Sequence, residues 1–241
     1  MPPKPPSFFH HANVAVTTAV NRFVALQCPL CEQTSVSGEL CELCRSWLQP
    51  LADPCRGCGA PNTLASLCGR CQRRPPPWQQ LHVAWPFAEA CRFLIHQMKY
   101  HQDYASARAL AHQWLSLLQP QLDLSAEALL AVPVHRSKMN QRGFNQAQWL
   151  ATIWSQLLGI PVWQGAYKMR STPALEGLNR RQRKAALKGV FRVTRPVPKR
   201  LIIVDDVLTT GATLTELSRE LLLSGAQQLD VWTLARTPLG D

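Results

Sequence analysis

An α/β fold, a parallel sheet flanked by helices with a small cysteine-rich module ahead of it, is what this sequence predicts, and three observations carry that expectation. Short apolar runs such as ALLAVPV (residues 128–134) and LIIV (201–204) alternate with longer stretches of helical periodicity, the pattern of crossover helices joining parallel strands. Four CxxC pairs fall between Cys28 and Cys71, ahead of all those elements. RRPPPWQQ (73–80) separates the two regions as a proline-stiffened junction. A chain of 241 residues that is 46% apolar has room for one α/β domain and something smaller, and it is not dominated by disorder.

Residues 1–27 contain PPKPP and the mixed stretch NVAVTTAVNR, and read as a flexible N-terminal extension or an overcalled start. They lack a basic start followed by an unbroken apolar stretch, and no apolar run in the chain approaches the ~20 residues of a membrane span. A cytoplasmic location is therefore expected. That compartment keeps thiols reduced, so nine cysteines do not read as a disulfide scaffold. Eight of them form the pairs Cys28/Cys31, Cys41/Cys44, Cys55/Cys58 and Cys68/Cys71, and the last two pairs repeat the first two 27 residues later. Each repeat offers four thiolates in two knuckles, which suits a tetrahedral Zn2+ with no open position, hence two structural sites. Redox pairs or unligated core cysteines leave the fourfold pairing unexplained. Few large apolar residues lie between Cys28 and Cys71, so the metal would supply much of the folding free energy there. Pairing within each repeat gives two successive ribbons over residues 28–74, whereas a cross-brace would join the first pair to the third. The ribbons are preferred because each repeat then folds as a unit. Cys91, among apolar neighbours, reads as a packed small hydrophobe.

From residue 81 onward the order is a strand over HVAWPF, helices around EACRFLIHQMKYH and ASARALAHQWLSLL, the buried strand ALLAVPV, and a basic loop, HRSKMNQRGFNQ. A helix over NQAQWLATIWSQLLG and a short strand near IPVW follow. LIIV suits a strand buried on both faces, which puts Asp205 and Asp206 at its carboxyl end, where open α/β sheets bind ligands. Thr213 and Glu216 would form a capping box opening a helix over LTELSRELLLSGA. Residues 209–213 would then aim N–H groups and hydroxyls at one point, which favours a phosphate. Two adjacent acids alone suit a solvated turn, but the full order favours a phosphorylated ligand, the acids serving a polyol or a bridging Mg2+. Arg136 and Lys138 at the end of another strand would reach a pyrophosphate beside that sugar; taken by itself, this loop reads as an ordinary solvated turn.

Formal charge is +11, yet residues 168–200 hold 11 Lys and Arg against one acid, Glu176. One segment therefore sets the sign of the protein. NRRQRKAALK can form a helix largely covered by Arg180, Arg181, Arg183, Lys184 and Lys188, whose like charges are mildly destabilising without an anionic partner. A solvated face is the simpler explanation. A phosphate-rich polymer is the better one, since neutralising phosphates releases counterions and needs only a local patch. Most tryptophans read as core or junction residues, with Trp78, beside the cysteine module, a candidate to stack on an unpaired base.

LIIVDDVLTTGATL resembles the phosphoribosyl pyrophosphate (PRPP) signature of type I phosphoribosyltransferases. The resemblance implies that Asp205 and Asp206 hold the ribose 2'- and 3'-hydroxyls, that Thr209, Thr210, Gly211, Ala212 and Thr213 cradle the 5'-phosphate, and that Mg2+ accompanies PRPP. From Cys28 onward the chain resembles the ComF/GntX family, in which a double zinc ribbon precedes a type I phosphoribosyltransferase-like domain, here residues 81–241. The paired CxxC repeats, LIHQMKYH, VHRSKMNQRGFNQA and LIIVDDVLTTGAT carry the match. It implies a role in competence or in using external DNA as a nutrient, with cytoplasmic handling of single-stranded DNA, DNA-uptake or helicase proteins as partners, and no membrane insertion. The alternative is a working phosphoribosyltransferase acting on a nucleobase or small amine, with an oxocarbenium-like sugar stabilised as pyrophosphate leaves. No base-recognition signal is visible in the sequence. Relatives usually show a pattern like TxxQ...LxxxxRxxN...F, and here Leu175 stands at the Gln and Ala186 at the Asn, although Arg170, Thr172, Leu178, Arg183 and Phe191 remain. If those two polar residues touch substrate or close a lid, catalysis is weakened in this chain. If they only tie the hood together, nothing is lost.

Overall fold

The structure, a computed structural model, describes residues 26–35, 38–171 and 188–238. Its centre is the expected α/β arrangement. Strands β1 (Gln80–Pro86), β2 (Ala128–Ala131), β5 (Arg200–Leu208) and β6 (Gln228–Arg236) form one sheet in the order β1-β6-β5-β2, and every neighbouring pair is parallel. Parallel strands covered on both sides read as continuous apolar runs, and β5 and β6 do so, with Leu201, Ile202, Ile203, Val204, Leu229 and Val231 all buried.

Alternation along the strands divides the core in two. Ile202, Val204, Trp232 and Leu234 face α3 (Glu89–Tyr100), α4 (Tyr104–Leu118) and α6 (Gln146–Leu158). Trp114, Trp154 and Trp232 pack together there with ring centroids 4.6 to 5.6 Å apart. Two of these indoles keep their N–H satisfied in the apolar interior, Trp114 donating to the Thr233 carbonyl at 2.8 Å and Trp154 to that of Ala111 at 3.1 Å. Leu201, Ile203, Leu229 and Val231 face the opposite layer, built from Leu214, Leu217 and Leu221 of α7 (Ala212–Leu223) together with Trp78.

The cysteine-rich module carries two one-turn helices, α1 (Glu42–Ser46) and α2 (Gly69–Arg73), one in each repeat. Cys28, Leu40, Cys44 and Leu48 join the three-tryptophan core, so the first repeat packs on the sheet's helical layer. The second repeat lies along the free edge of β1, where Leu81 N donates to the Arg56 carbonyl at 2.7 Å. Most of the extension expected over residues 1–27 lies outside the described residues; Gln27 is within them and bridges Thr34.

Local structure departs from the sequence reading in several places. The strand expected to stop at Val204 runs nine residues to Leu208, because β6 pairs with it as far as Leu208 opposite Arg236. The basic segment after Val134 is a helix, α5 (Arg136–Arg142), capped by the His135 ring, which accepts from Ser137 N at 3.2 Å, and by Gly143 at φ 78°. IPVW makes only a single parallel bridge, Val162 to Leu129, in keeping with a proline at position 161 that has no N–H to donate. An antiparallel hairpin that the sequence did not suggest, β3 (Ala166–Lys168) with β4 (Phe191–Val193), stands beside the main sheet. Helix α7 begins at Ala212 with Gly211 as its cap, not Thr213, so the expected capping box does not form. Glu216 instead accepts from Gly189 N at 2.8 Å, which ties the segment leading into β4 to α7.

Candidate functional site

Strand β2 follows β5 only to Val204, opposite Ala131, whereas β6 follows it to Leu208. Beyond Val204 one edge of β5 is therefore open, and Asp205 and Asp206 occupy that stretch. Lys99, one residue from the end of α3, places Nζ 2.7 Å from Asp206 Oδ2, with both side chains largely shielded from solvent. Burial first, and the charge of Asp206 second, push the Asp205 carboxyl up to about 7, against the opposing pull of Lys99, of the Asp206 N–H and of Lys168. That N–H donates to Asp205 Oδ1 at 3.0 Å. Lys168 on β3 is held below its ordinary value by burial and then by Lys138, while Asp205 works the other way. The carboxyl end of β5 thus gathers two acids and three lysines from four separate elements. Arg136 stands exposed at the first residue of α5. Lys99 and Lys168 were not singled out from the sequence. The available signal for Lys99 was a lysine directly after the buried Met98 on an amphipathic helix, a position that calls for a counter-ion.

The loop after β5 turns at Gly211, φ 72°. A Cβ there would meet only ordinary contacts, 3.5 Å to Leu208 and 3.7 Å to Trp78, so the left-handed backbone rather than lack of space calls for glycine. The helical ladder opens with Thr215 N donating to the Gly211 carbonyl at 2.8 Å. The N–H groups ahead of it have no partner within the helix and form its positive end, beside the exposed Thr209 and Thr210. Arg236, buried at the end of β6, donates from Nη1 to the carbonyls of Leu208, at 3.1 Å, and Thr209. A guanidinium therefore holds the start of the loop after β5 from beneath.

The same support reaches the second cysteine repeat. Trp78, 6% exposed, donates from Nε1 to the Gly57 carbonyl of the CRGC knuckle at 3.2 Å and lies under Gly211. Its place is in the core, and the ring is not open to an unpaired base. Burial and Arg70 lower the Arg236 pKa, with the thiols of Cys58 and Cys71 opposing, so this cation lies between the knuckles and the loop.

Thiols of Cys28, Cys31, Cys41 and Cys44 lie within 4.8 Å of one another, and so do those of Cys55, Cys58, Cys68 and Cys71. Each group comes from one repeat. The Cys31–Cys41 and Cys58–Cys68 sulfur separations are 3.7 and 3.6 Å, close to the ~3.8 Å edge of a tetrahedron with metal–sulfur bonds of about 2.3 Å. Gly57 N and Cys68 N donate to Cys55 Sγ at 3.4 and 3.2 Å, the outer contacts that orient a metal-bound thiolate. Burial first, and the neighbouring thiols after it, drive Cys44 and Cys71 far above the ordinary thiol range. At Cys28 burial is outweighed by the N–H groups of Cys41, Leu30 and Cys31, and at Cys68 by the N–H of Cys71 with the thiols of Cys58 and Cys55, leaving both near 7. Four sulfurs this close cannot all ionise without a cation among them, and the donor set fits Zn2+ in each cluster. Cys91, outside both, is buried, and burial lifts its thiol to about 12.

Arg180, Arg181, Arg183 and Lys184 lie outside the described residues, as do Leu175 and Ala186. Lys188 is exposed, and its carbonyl accepts from Arg170 Nη2 at 2.8 Å. Among the described residues, no helix is long and apolar enough to cross a membrane.

These parts define a class of protein: two four-cysteine modules joined to a parallel α/β domain whose carboxyl edge carries a diacid and a helix-opening Thr/Gly loop. The chain is 34% identical to the DNA utilization protein YhgH of Escherichia coli K12 over 220 residues, 87% of this chain and 96% of that protein. It is 31% identical to Competence protein F of Haemophilus influenzae over 208 residues, 82% and 90% of the two chains, and 22% identical to Competence protein ComFC of Bacillus subtilis over 209 residues, 83% and 85%. No protein-family model matches the chain. At this level of identity over nearly the whole length of its relatives, the chain belongs to the ComF/GntX family.

Proposed function

We propose that this protein binds PRPP with Mg2+ at the carboxyl end of β5 and handles single-stranded DNA in the cytoplasm, a ComF-type role in competence or in the use of DNA as a nutrient. One observation carries the ligand: two acids on the open edge of β5 lead directly into a left-handed glycine and the N-terminus of α7. The N–H groups there would donate to a 5'-phosphate, and the ribose hydroxyls would donate to the carboxylates. Asp205 and Asp206 would hold Mg2+, whose charge offsets the burial and the repulsion by Asp206 that lift Asp205 in the free protein. Lys99, Lys138, Lys168 and Arg136 supply positive charge for the pyrophosphate. Zn2+ in the two four-cysteine clusters is proposed as structural. DNA handling is supported by the names of the relatives and by the charge concentrated between residues 168 and 200.

Calorimetric titration of the zinc-loaded protein with PRPP, with inorganic phosphate as reference, tests the ligand. PRPP binding well above that of phosphate is expected, and equal affinities overturn the reading. Isotopic PRPP turnover to pyrophosphate, with and without single-stranded DNA and candidate bases, separates an accessory protein from an enzyme, since acceptor-dependent turnover would establish an active phosphoribosyltransferase. The charge-reversed pair Arg180→Glu/Arg181→Glu should weaken single-stranded DNA binding and flatten its salt dependence by about 0.7 in log–log slope for each lost phosphate contact.

A further inference from the structure

Helix α3 turns Cys91, Leu94, Ile95 and Met98 into the core. Its outer face is not the usual solvated polar surface. Phe93, His96 and Tyr100 are all exposed, Phe93 by 45% and Tyr100 by 61%, and their spacing of three and then four residues aligns them in one narrow stripe. Phe87, His96 and Tyr100 form a chain of rings. Phe87 and His96 stack with centroids 6.2 Å apart, His96 and Tyr100 are 5.2 Å apart, and the Arg142 guanidinium lies 5.6 Å from the Tyr100 ring centre. Arg142 is kept there by its own carbonyl, which accepts from Gln102 Nε2 at 3.3 Å. At the inner end, Lys99 Nζ lies 6.0 Å from the Phe87 ring centre while paired with Asp206.

Scattered exposed apolar residues need no explanation, but a connected line of π-faces ending in a guanidinium does. We propose that this stripe is a stacking track for the bases of single-stranded nucleic acid, leading to the edge of the Asp205–Asp206 site. The inference rests on the DNA-handling reading and adds where the strand lies. Three features select the occupant. The stripe is made of rings, with no Leu, Ile or Val among its exposed members, which suits the faces of bases better than a packed protein helix. Its flanking charge is positive, from Arg92 and Arg142. Of the nearby acids, Asp103 is engaged in capping α4 through Ala105 N and Ser106 N, and Glu89, one turn before Phe93 on the same face, marks the end of the track away from Arg142. Length also fits: Phe93 to Tyr100 spans about 10 Å at about 1.5 Å per helical residue, room for about three bases at about 3.4 Å spacing. Duplex DNA, with its bases paired and stacked, offers no free faces to such a track.

The test is fluorescence anisotropy of the full-length, zinc-loaded protein with a labelled single-stranded oligothymidylate. Replacing Tyr100 by Leu keeps apolar bulk and should be harmless to folding at an exposed position, yet should weaken binding about tenfold while leaving the salt slope unchanged. Tyr100→Trp, which keeps a π-face, should bind as the parent does or tighter. Arg142→Ala should weaken binding and flatten the slope by about 0.7 if it contacts one phosphate. Parent-like affinity in the folded Tyr100→Leu/His96→Ala protein overturns the track, as does unlabelled duplex competing as well as single strands. If that protein binds normally while Arg180→Glu/Arg181→Glu does not, the track falls and the DNA-handling reading stands. A parent protein that does not bind the oligomer at all removes both.

Discussion

Replacing Asp205 by Asn separates what this carboxylate costs the fold from what it contributes to a ligand. Burial and then Asp206 lift the carboxyl from an ordinary 3.8 to about 7. Between those values the unfolded chain has released the proton and the folded protein still holds it. The contribution of Asp205 to stability is therefore fully present below the lower value and is lost as pH rises through the upper one. At about 1.4 kcal/mol per pH unit the full interval corresponds to about 4 kcal/mol, and partial solvent access reduces this to about 2–4 kcal/mol. An amide of the same shape escapes that penalty. The Asp205→Asn protein should therefore melt about 5–15 °C higher than the parent near pH 8, with the advantage shrinking toward about pH 5. Paired thermal melts of the zinc-loaded proteins across that range give the difference directly, since metal loss at low pH affects both alike. The same variant should lose PRPP affinity by about tenfold or more and keep most of its affinity for inorganic phosphate. Equal or lower melting temperatures at all pH values would show that Asp205 is already compensated by Lys99 and Lys168. Parallel loss of PRPP and phosphate would show that the acid supports the loop rather than the sugar.

Purified protein should hold two zinc ions, and Cys41→Ser should reduce metal content to about one per chain; metal analysis showing both sites lost would mean that the clusters do not fold independently. Lys99→Met removes the partner of Asp206 and should destabilise the protein by about 1–3 kcal/mol, less than for a fully buried pair, and a double-mutant cycle with Asp206→Asn should recover most of that loss. Arg236→Met leaves the Thr209 carbonyl without its donor but also removes a buried Nε that has no partner among the described residues, two effects of about 1–3 kcal/mol each that oppose one another. The melting temperature should therefore change little while phosphate affinity falls about tenfold, and the reverse pattern by calorimetry and thermal melts would refute a supporting role for Arg236 beneath the loop.

Features confined to short stretches of chain were legible in the sequence itself. A CxxC knuckle closes over a few residues, so the spacing of Cys28 through Cys71 already favoured grouping the thiols by repeat, and the tertiary structure, which brings each four together, decides against a cross-brace. A buried parallel strand needs a continuous apolar run, and LIIV read as such a strand for the same local reason. What the sequence left open depended on partners distant along the chain. Lys99 has no visible role until α3 packs beside the end of β5 and meets Asp206. The sequence leaves Trp78 a candidate stacking ring beside a core reading, and burial between Gly57 and Gly211 decides for the core. Three-residue strands such as β3 and β4 carry too little periodicity to read. The capping box read at Thr213 does not form, since the helix starts at Ala212 and Glu216 accepts instead from Gly189 N, a partner distant along the chain. In each case the deciding energy is burial or a hydrogen bond supplied by another element, which no local pattern of residues encodes.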